Sequence, residues 1–189
     1  MGQPAAQLYT IPEYLALEAR TGIKHEYHEG VVTAMAGGTP EHAMMLTNIA
    51  SILHERLKGK PCKPFSSDLK VKAGGKTFYP DVSVVCPPVR RDDEMTDAIT
   101  NPRVIIEVLS ESTENYDRVE KFAFYRENPE LIDYVLISPT RRYAEHYSRE
   151  ANGSWNLEFL GGDSTLRLAS IECEIPVAEF YEGLELLLS

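Results

Sequence analysis

The stretch Val104-Ile105-Ile106-Glu107-Val108-Leu109 decides the fold. A continuous apolar run broken by one acid is the pattern of a central strand covered on both faces. An ionised carboxylate in that setting costs several kcal/mol unless a cation or hydrogen-bond donors compensate it. A second acid, Asp81, has a similar setting in Tyr79-Pro80-Asp81-Val82-Ser83-Val84-Val85. Either acid alone would also suit a strand end, paired with an arginine or a backbone amide. Two such acids on neighbouring strands can share a divalent cation, because Mg²⁺ takes one or two carboxylates and keeps several waters.

Outward from these strands the chain alternates helices and strands. Ser112 or Thr113 can cap a helix running to about Asn128, which Pro129 stops. Thr10-Ile11-Pro12-Glu13 has capping-box spacing and predicts a first helix ending near Gly22. Lys24 to Met35 reads as two short strands around a Glu29-Gly30 turn. Thr39 as N-cap and Pro40 open a longer helix, with Ala43, Leu46, Ile49, Ala50, Leu53 and Leu57 on one apolar stripe.

Strands are expected at 62–65, 69–72, 77–85, 131–137, 143–148, 155–160 and 165–168, and a short final helix at 177–184. The charged, proline-containing segment from Pro87 to Pro102 is long enough to suggest a functional or mobile loop. This order predicts an α/β fold with a mixed central sheet in one domain spanning 1–189. Residues 1–7 read as a flexible leader without signal-peptide character.

Composition narrows the function classes. The chain has 189 residues, 43% hydrophobic and 25% charged, as in ordinary globular proteins. No apolar run is long enough to span a membrane. The three cysteines, Cys62, Cys86 and Cys173, have no CxxC spacing, which predicts buried free thiols and a reducing, cytoplasmic setting. A net charge of −10 argues against coating nucleic acid with the whole surface. Six lysines (Lys58, Lys60, Lys63, Lys70, Lys72 and Lys76) nevertheless share one segment with a single acid, Asp68. Such a strip can contact DNA phosphates, or it can be a solvated hairpin. Nucleotide-binding glycine loops and the GxSxG elbow are missing from the sequence.

Taken in order, Tyr79-Pro80-Asp81-Val82, Val104-Ile105-Ile106-Glu107-Val108-Leu109-Ser110 and Asp117-Arg118 with Lys121 and Tyr125 resemble the Uma family of bacterial restriction endonucleases. That family belongs to the PD-(D/E)xK superfamily of restriction-endonuclease-like folds. Glu26 to Gly30, His42 and Ser67-Asp68 fit the same family pattern, and the likeness runs from about Tyr9 to Ser148.

The resemblance implies a mixed central β-sheet flanked by helices, and Mg²⁺ or Mn²⁺ held by Asp81, Glu107 and the backbone carbonyl of Val108. Glu29 is a candidate third acid. The superfamily's usual lysine, two residues after the glutamate, is replaced here by Leu109. Lys121 is the candidate substitute, because a helix packed on its own strand can return an amine toward the strand's end. Its alternative is a surface pair with Asp117 at i−4. His42 and Asp68 are candidate supporting residues, although a lone histidine on an apolar stripe also suits a hydrogen-bonded core position.

The implied activity is hydrolysis of DNA phosphodiesters, with a homodimer or higher homo-oligomer needed to cut both strands. The rival reading is a nuclease-fold protein that binds nucleic acid or a protein partner without cutting. RNA as the substrate is a third reading.

Overall fold

The computed structural model describes residues 7–35 and 37–187. Helix α1 (Ile11–Thr21) starts at the Thr10–Glu13 capping box and ends where Gly22 takes the left-handed conformation at φ 68°. Strands β1 (His25–His28) and β2 (Val31–Ala34) form a hairpin. Helix α2 (Pro40–Arg56) follows, its first turn capped by the Thr39 hydroxyl. Next come β3 (Lys63–Ser66), β4 (Lys70–Ala73), β5 (Lys76–Phe78), β6 (Val82–Val85), β7 (Ala98–Ile99) and β8 (Pro102–Val108). A π-helical segment, Tyr116–Lys121, runs directly into α3 (Phe122–Tyr125). Strands β9 (Asp133–Ile137), β10 (Tyr143–Arg149), β11 (Trp155–Gly161), β12 (Thr165–Leu168) and β13 (Cys173–Pro176) complete the sheets.

The main sheet has six strands in the order β11-β10-β9-β8-β6-β3. Strands β8 and β9 are parallel and the other neighbours antiparallel. A parallel pair needs a crossover, and the helical segment Tyr116–Tyr125 supplies it. One face of the sheet packs Val82, Val84, Val104, Ile106 and Val108 against Met45, Ile49 and Leu53 of α2. The other face places Ile105, Leu109, Tyr134 and Leu136 against Tyr125, Val71 and Phe78. Both faces of β8 are therefore covered, as its apolar run predicts. The α/β mixed-sheet fold is the one expected, except that a second sheet, β2-β1-β5-β4-β7, shares the covering with the helices.

Four expectations are corrected. Residues 77–85 are two strands in different sheets, because Tyr79-Pro80-Asp81 carries the chain from β5 to β6. Pro80 has no N–H to give a ladder, so the strand breaks there. Secondly, the segment from Pro87 to Pro102 is pinned rather than loose. Asn101 accepts the Arg90 N–H and donates to the carbonyls of Cys86 and Pro88, and β7 pairs in parallel with β4.

The third correction concerns the cysteines: Cys62 and Cys86 form a disulfide, and Cys173 is free and buried. The pairing Lys63↔Val85 puts these two cysteines opposite each other at the next register position, which only strand pairing could reveal. It removes the cysteine argument for a reducing compartment. Finally, the expected helix at 177–184 is two short 3-10 turns, Val177–Tyr181 and Leu184–Leu187. Apart from Gln7, the expected leader lies outside the described residues. No helix among the described residues is long and apolar enough to cross a membrane.

Candidate active site

The site forms where β6 and β8 stop pairing. The register Val82↔Ile106 continues to put Asp81 opposite Glu107. There the two side chains take over the backbone bonding. Glu107 Oε2 accepts the Asp81 N–H at 3.2 Å, and Asp81 Oδ2 accepts the Val108 N–H at 2.8 Å. Each carboxylate is thereby anchored to the other strand. Glu107 is only 2% exposed.

The crossover helix brings a third acid and an amine. Lys121 Nζ lies 3.2 Å from Glu107 Oε1 and 2.9 Å from Asp117 Oδ1. The Thr113 hydroxyl donates to Asp117 Oδ2 at 2.8 Å, and the Tyr134 hydroxyl donates to the Asp117 carbonyl at 2.8 Å. The Tyr125 hydroxyl lies 3.4 Å from Glu107 Oε1. A π-helical turn is wider than an α-turn and is frequently found at functional sites. Here Asp117 and Lys121, four residues apart on that turn, are both buried against the strand acids.

Two carboxyl groups, Glu107 and Asp117, thus flank one ammonium, with Asp81 on the opposite strand beside Glu107. Burial pushes the Glu107 carboxyl up; Lys121 pulls it back, while Asp81 and Asp117 push it up further. Burial works to lower Lys121, but Glu107, Asp117 and Glu26 outweigh it and hold the ammonium above its usual range. Leu109, at the position of the superfamily's usual lysine, is 3% exposed and packed in the core with Tyr125 and Tyr134. The amine beside Glu107 is that of Lys121, on the helix.

His42 joins the site from the start of α2, its ring Nε2 3.2 Å from Asp81 Oδ2. The Asp81 hydrogen bond raises its pKa, burial opposes this, and the Asp81 charge and the Val108 backbone raise it further. His42 is therefore a partner of the strand acid rather than a core histidine.

Of the other candidates, Glu29 is exposed at the left-handed position of the β1–β2 turn, with φ 46°. No hydrogen bond or ion pair joins it to Asp81, Glu107 or Lys121 among the described residues. The acid this hairpin directs toward the site is Glu26, which is buried. It pairs with Lys76 at 3.1 Å and accepts a hydrogen bond from Tyr116, whose ring lies 5.7 Å from the Lys121 ammonium. Glu26 is a buried acid near the candidate site that the sequence motifs do not single out. Its strand position beside an acidic turn was the available signal. Asp68, with its side chain 83% exposed, pairs with Lys24 at 2.5 Å and not with either strand acid.

The six lysines do not form one strip. Lys70 is buried between Glu18 (2.9 Å) and Asp97 (2.6 Å), and Lys72 pairs with Asp92 at 2.8 Å. Lys76 is held by Glu26, and all three lie in the five-stranded sheet. Lys58, Lys60 and Lys63 lie after α2 and at the start of β3, where Lys60 and Lys63 donate to backbone carbonyls and Lys58 lies 4.0 Å from Glu55.

The donor set fits a hard divalent cation. Asp81 Oδ1 has no hydrogen bond among the described residues, and carboxylates outnumber ammonium groups in a buried place. Among the described residues no three His, Cys, Asp or Glu side chains meet in metal-holding geometry. An ion bound here would have to keep waters, as Mg²⁺ does and a structural zinc site does not.

The comparisons with known proteins agree with this architecture. The family model Uma2, described as "Putative restriction endonuclease", matches residues 11–178. This chain belongs to the Uma2 family. Two relatives from Synechocystis sp. are the uncharacterized proteins slr1290 and sll1609. The first is 39% identical over 174 residues, covering 91% of this chain and 90% of the relative. The second is 32% identical over 160 residues, covering 84% and 90%. A crystal structure from Anabaena variabilis, described as "a putative nuclease belonging to DUF820", superposes with a TM-score of 0.75. It is 18% identical and covers 92% of this chain and 97% of its own, so it shows the Uma2 chain's fold.

Proposed function

We propose that this Uma2 protein is a Mg²⁺- or Mn²⁺-dependent endonuclease that hydrolyses DNA phosphodiester bonds. The observation that carries the reading is the Lys121 ammonium 3.2 Å from Glu107, which itself sits opposite Asp81. An acid pair with an adjacent amine is the set this chemistry needs. Asp81, Glu107 and the Val108 carbonyl would hold the cation. Such an ion supplies a water of lowered pKa and neutralises charge on the scissile phosphate.

Within that site Lys121 orients the attacking oxygen or stabilises the charge that develops on the phosphate. Asp117 and Thr113 hold the lysine's reach, and Tyr125 steadies Glu107. The burial of Leu109 does not weaken the reading, because the amine arrives from the following helix.

The test is incubation with plasmid, single-stranded DNA and RNA in Mg²⁺ or Mn²⁺. Nicking or linearisation of plasmid, lost on chelation and in Asp81→Asn, supports the reading. Binding of DNA without cutting in either metal overturns it in favour of a non-cutting binder. Cleavage of RNA alone would move the substrate class.

A further inference from the structure

His42 is placed with unusual restriction for a residue in the first turn of an amphipathic helix. Its N–H is fixed by the Thr39 cap at 3.2 Å, and its ring Nε2 lies 3.2 Å from Asp81 Oδ2. Behind the ring stands Gly38. A Cβ at residue 38 would lie 2.9 Å from His42 Nδ1, closer than real Cβ atoms approach, and a tight 3.3 Å from its Cγ. The neighbouring Gly37 has nothing within 4 Å of the same position. One of two adjacent glycines is thus needed to seat the ring, and the other is free.

The far side of the contact is equally constrained. Asp81 Oδ2 takes both the Val108 N–H at 2.8 Å and the His42 ring, while Oδ1 takes no hydrogen bond among the described residues. Two partners on one oxygen fix the carboxylate's rotation and leave the other oxygen available. Losing an outer partner that orients a ligand in this way typically costs roughly 10- to 100-fold in metal affinity.

We propose that His42, seated against Gly38, is a positioning residue that sets the Asp81 carboxylate so that Oδ1 is presented to the cation. This rests on the metal-site reading above. His42 is not itself assigned as a ligand; it acts through Asp81.

The test uses Mn²⁺ binding by calorimetry and, in the metal-free protein, the ¹⁵N resonances of the His42 ring. His42→Ala should weaken Mn²⁺ binding roughly 10- to 100-fold, and His42→Gln should recover part of this through its amide donor. Gly38→Ala should weaken binding in the same direction and move the ring resonances. Gly37→Ala should match wild type, and because both are Gly→Ala changes the unfolded-chain effect cancels between them.

Wild-type Mn²⁺ affinity in both His42→Ala and Gly38→Ala, with binding lost in Asp81→Asn, overturns the positioning role and leaves the metal site standing. Wild type that takes up no Mn²⁺ overturns the metal reading and with it the presentation of Oδ1 to a cation. The metal-free resonances then still report whether the contact exists. A shift in Asp81→Asn supports the His42–Asp81 contact, and unchanged resonances overturn it.

Discussion

The Lys121 ammonium reaches Glu107 Oε1 at 3.2 Å across 14 residues of sequence, from the π-helical turn that follows the strand. In the proposed site this contact supplies the amine that Leu109 does not. Lys121→Ala should lower DNA cleavage about 10²- to 10³-fold, the cost of losing one aimed donor. It also leaves Glu107 and Asp117 buried without their cation, a loss of about 3–5 kcal/mol in the metal-free protein. Thermal unfolding with and without Mn²⁺ checks this, because the added cation should restore part of the stability. An unchanged cleavage rate would separate Lys121 from the chemistry.

Leu109→Lys should not restore a lysine to the site. The Leu109 side chain is packed among Tyr125, Tyr134 and Leu136. Burying an amine there costs roughly 2–5 kcal/mol, from lost apolar packing and from desolvation. Denaturant unfolding of Leu109→Lys, and cleavage by the Leu109→Lys/Lys121→Ala double variant, test the point. Recovered cleavage in the double variant would show that the position still opens onto the site.

Affinity for Mn²⁺ should rise with pH. Burial raises the Glu107 carboxyl, and the hydrogen bond to Asp81 raises His42. Both groups therefore hold protons to higher pH than usual, and either proton opposes a bound cation. Binding must release them, so affinity increases as pH climbs through their folded values. Calorimetry between about pH 6 and about pH 8 should show tightening, with proton release that changes with buffer. A flat profile would contradict the protonation states assigned here.

The Cys62–Cys86 bond joins β3 to β6 at the end of β6 away from Asp81. Closing a loop of sequence separation 24 should contribute about 3 kcal/mol, mostly by restricting the unfolded chain. Cys62→Ser should lower stability by that order while leaving metal-dependent cleavage intact under native conditions. Loss of cleavage in a folded Cys62→Ser protein would tie the disulfide to the site.

Much of this was legible from residues alone. Glu107 inside an apolar strand announced a compensated buried acid, and the similar apolar setting of Asp81 announced a second one. Capping at Thr10 and Thr39 located both long helices, because these signals are local. What pairing alone determines was not legible. The break at Pro80 sends one apparent strand into two sheets, and register brings Cys62 to Cys86. Glu29 is the acid the turn suggests, whereas Glu26 is the one that is buried, and only the way the hairpin faces decides this. The lysine segment looked basic by count, yet Glu18, Asp92 and Glu26 come from distant parts of the chain to pair with Lys70, Lys72 and Lys76.

The most direct measurement is the rate of plasmid cleavage by Glu107→Gln in Mg²⁺ and Mn²⁺, with folding verified by circular dichroism. This substitution keeps the shape of the side chain and removes the charge that pairs with Lys121 and would hold the cation. Cleavage should fall by about 10²-fold or more, together with weakened metal binding. Wild-type cleavage by a folded Glu107→Gln protein would contradict the endonuclease reading.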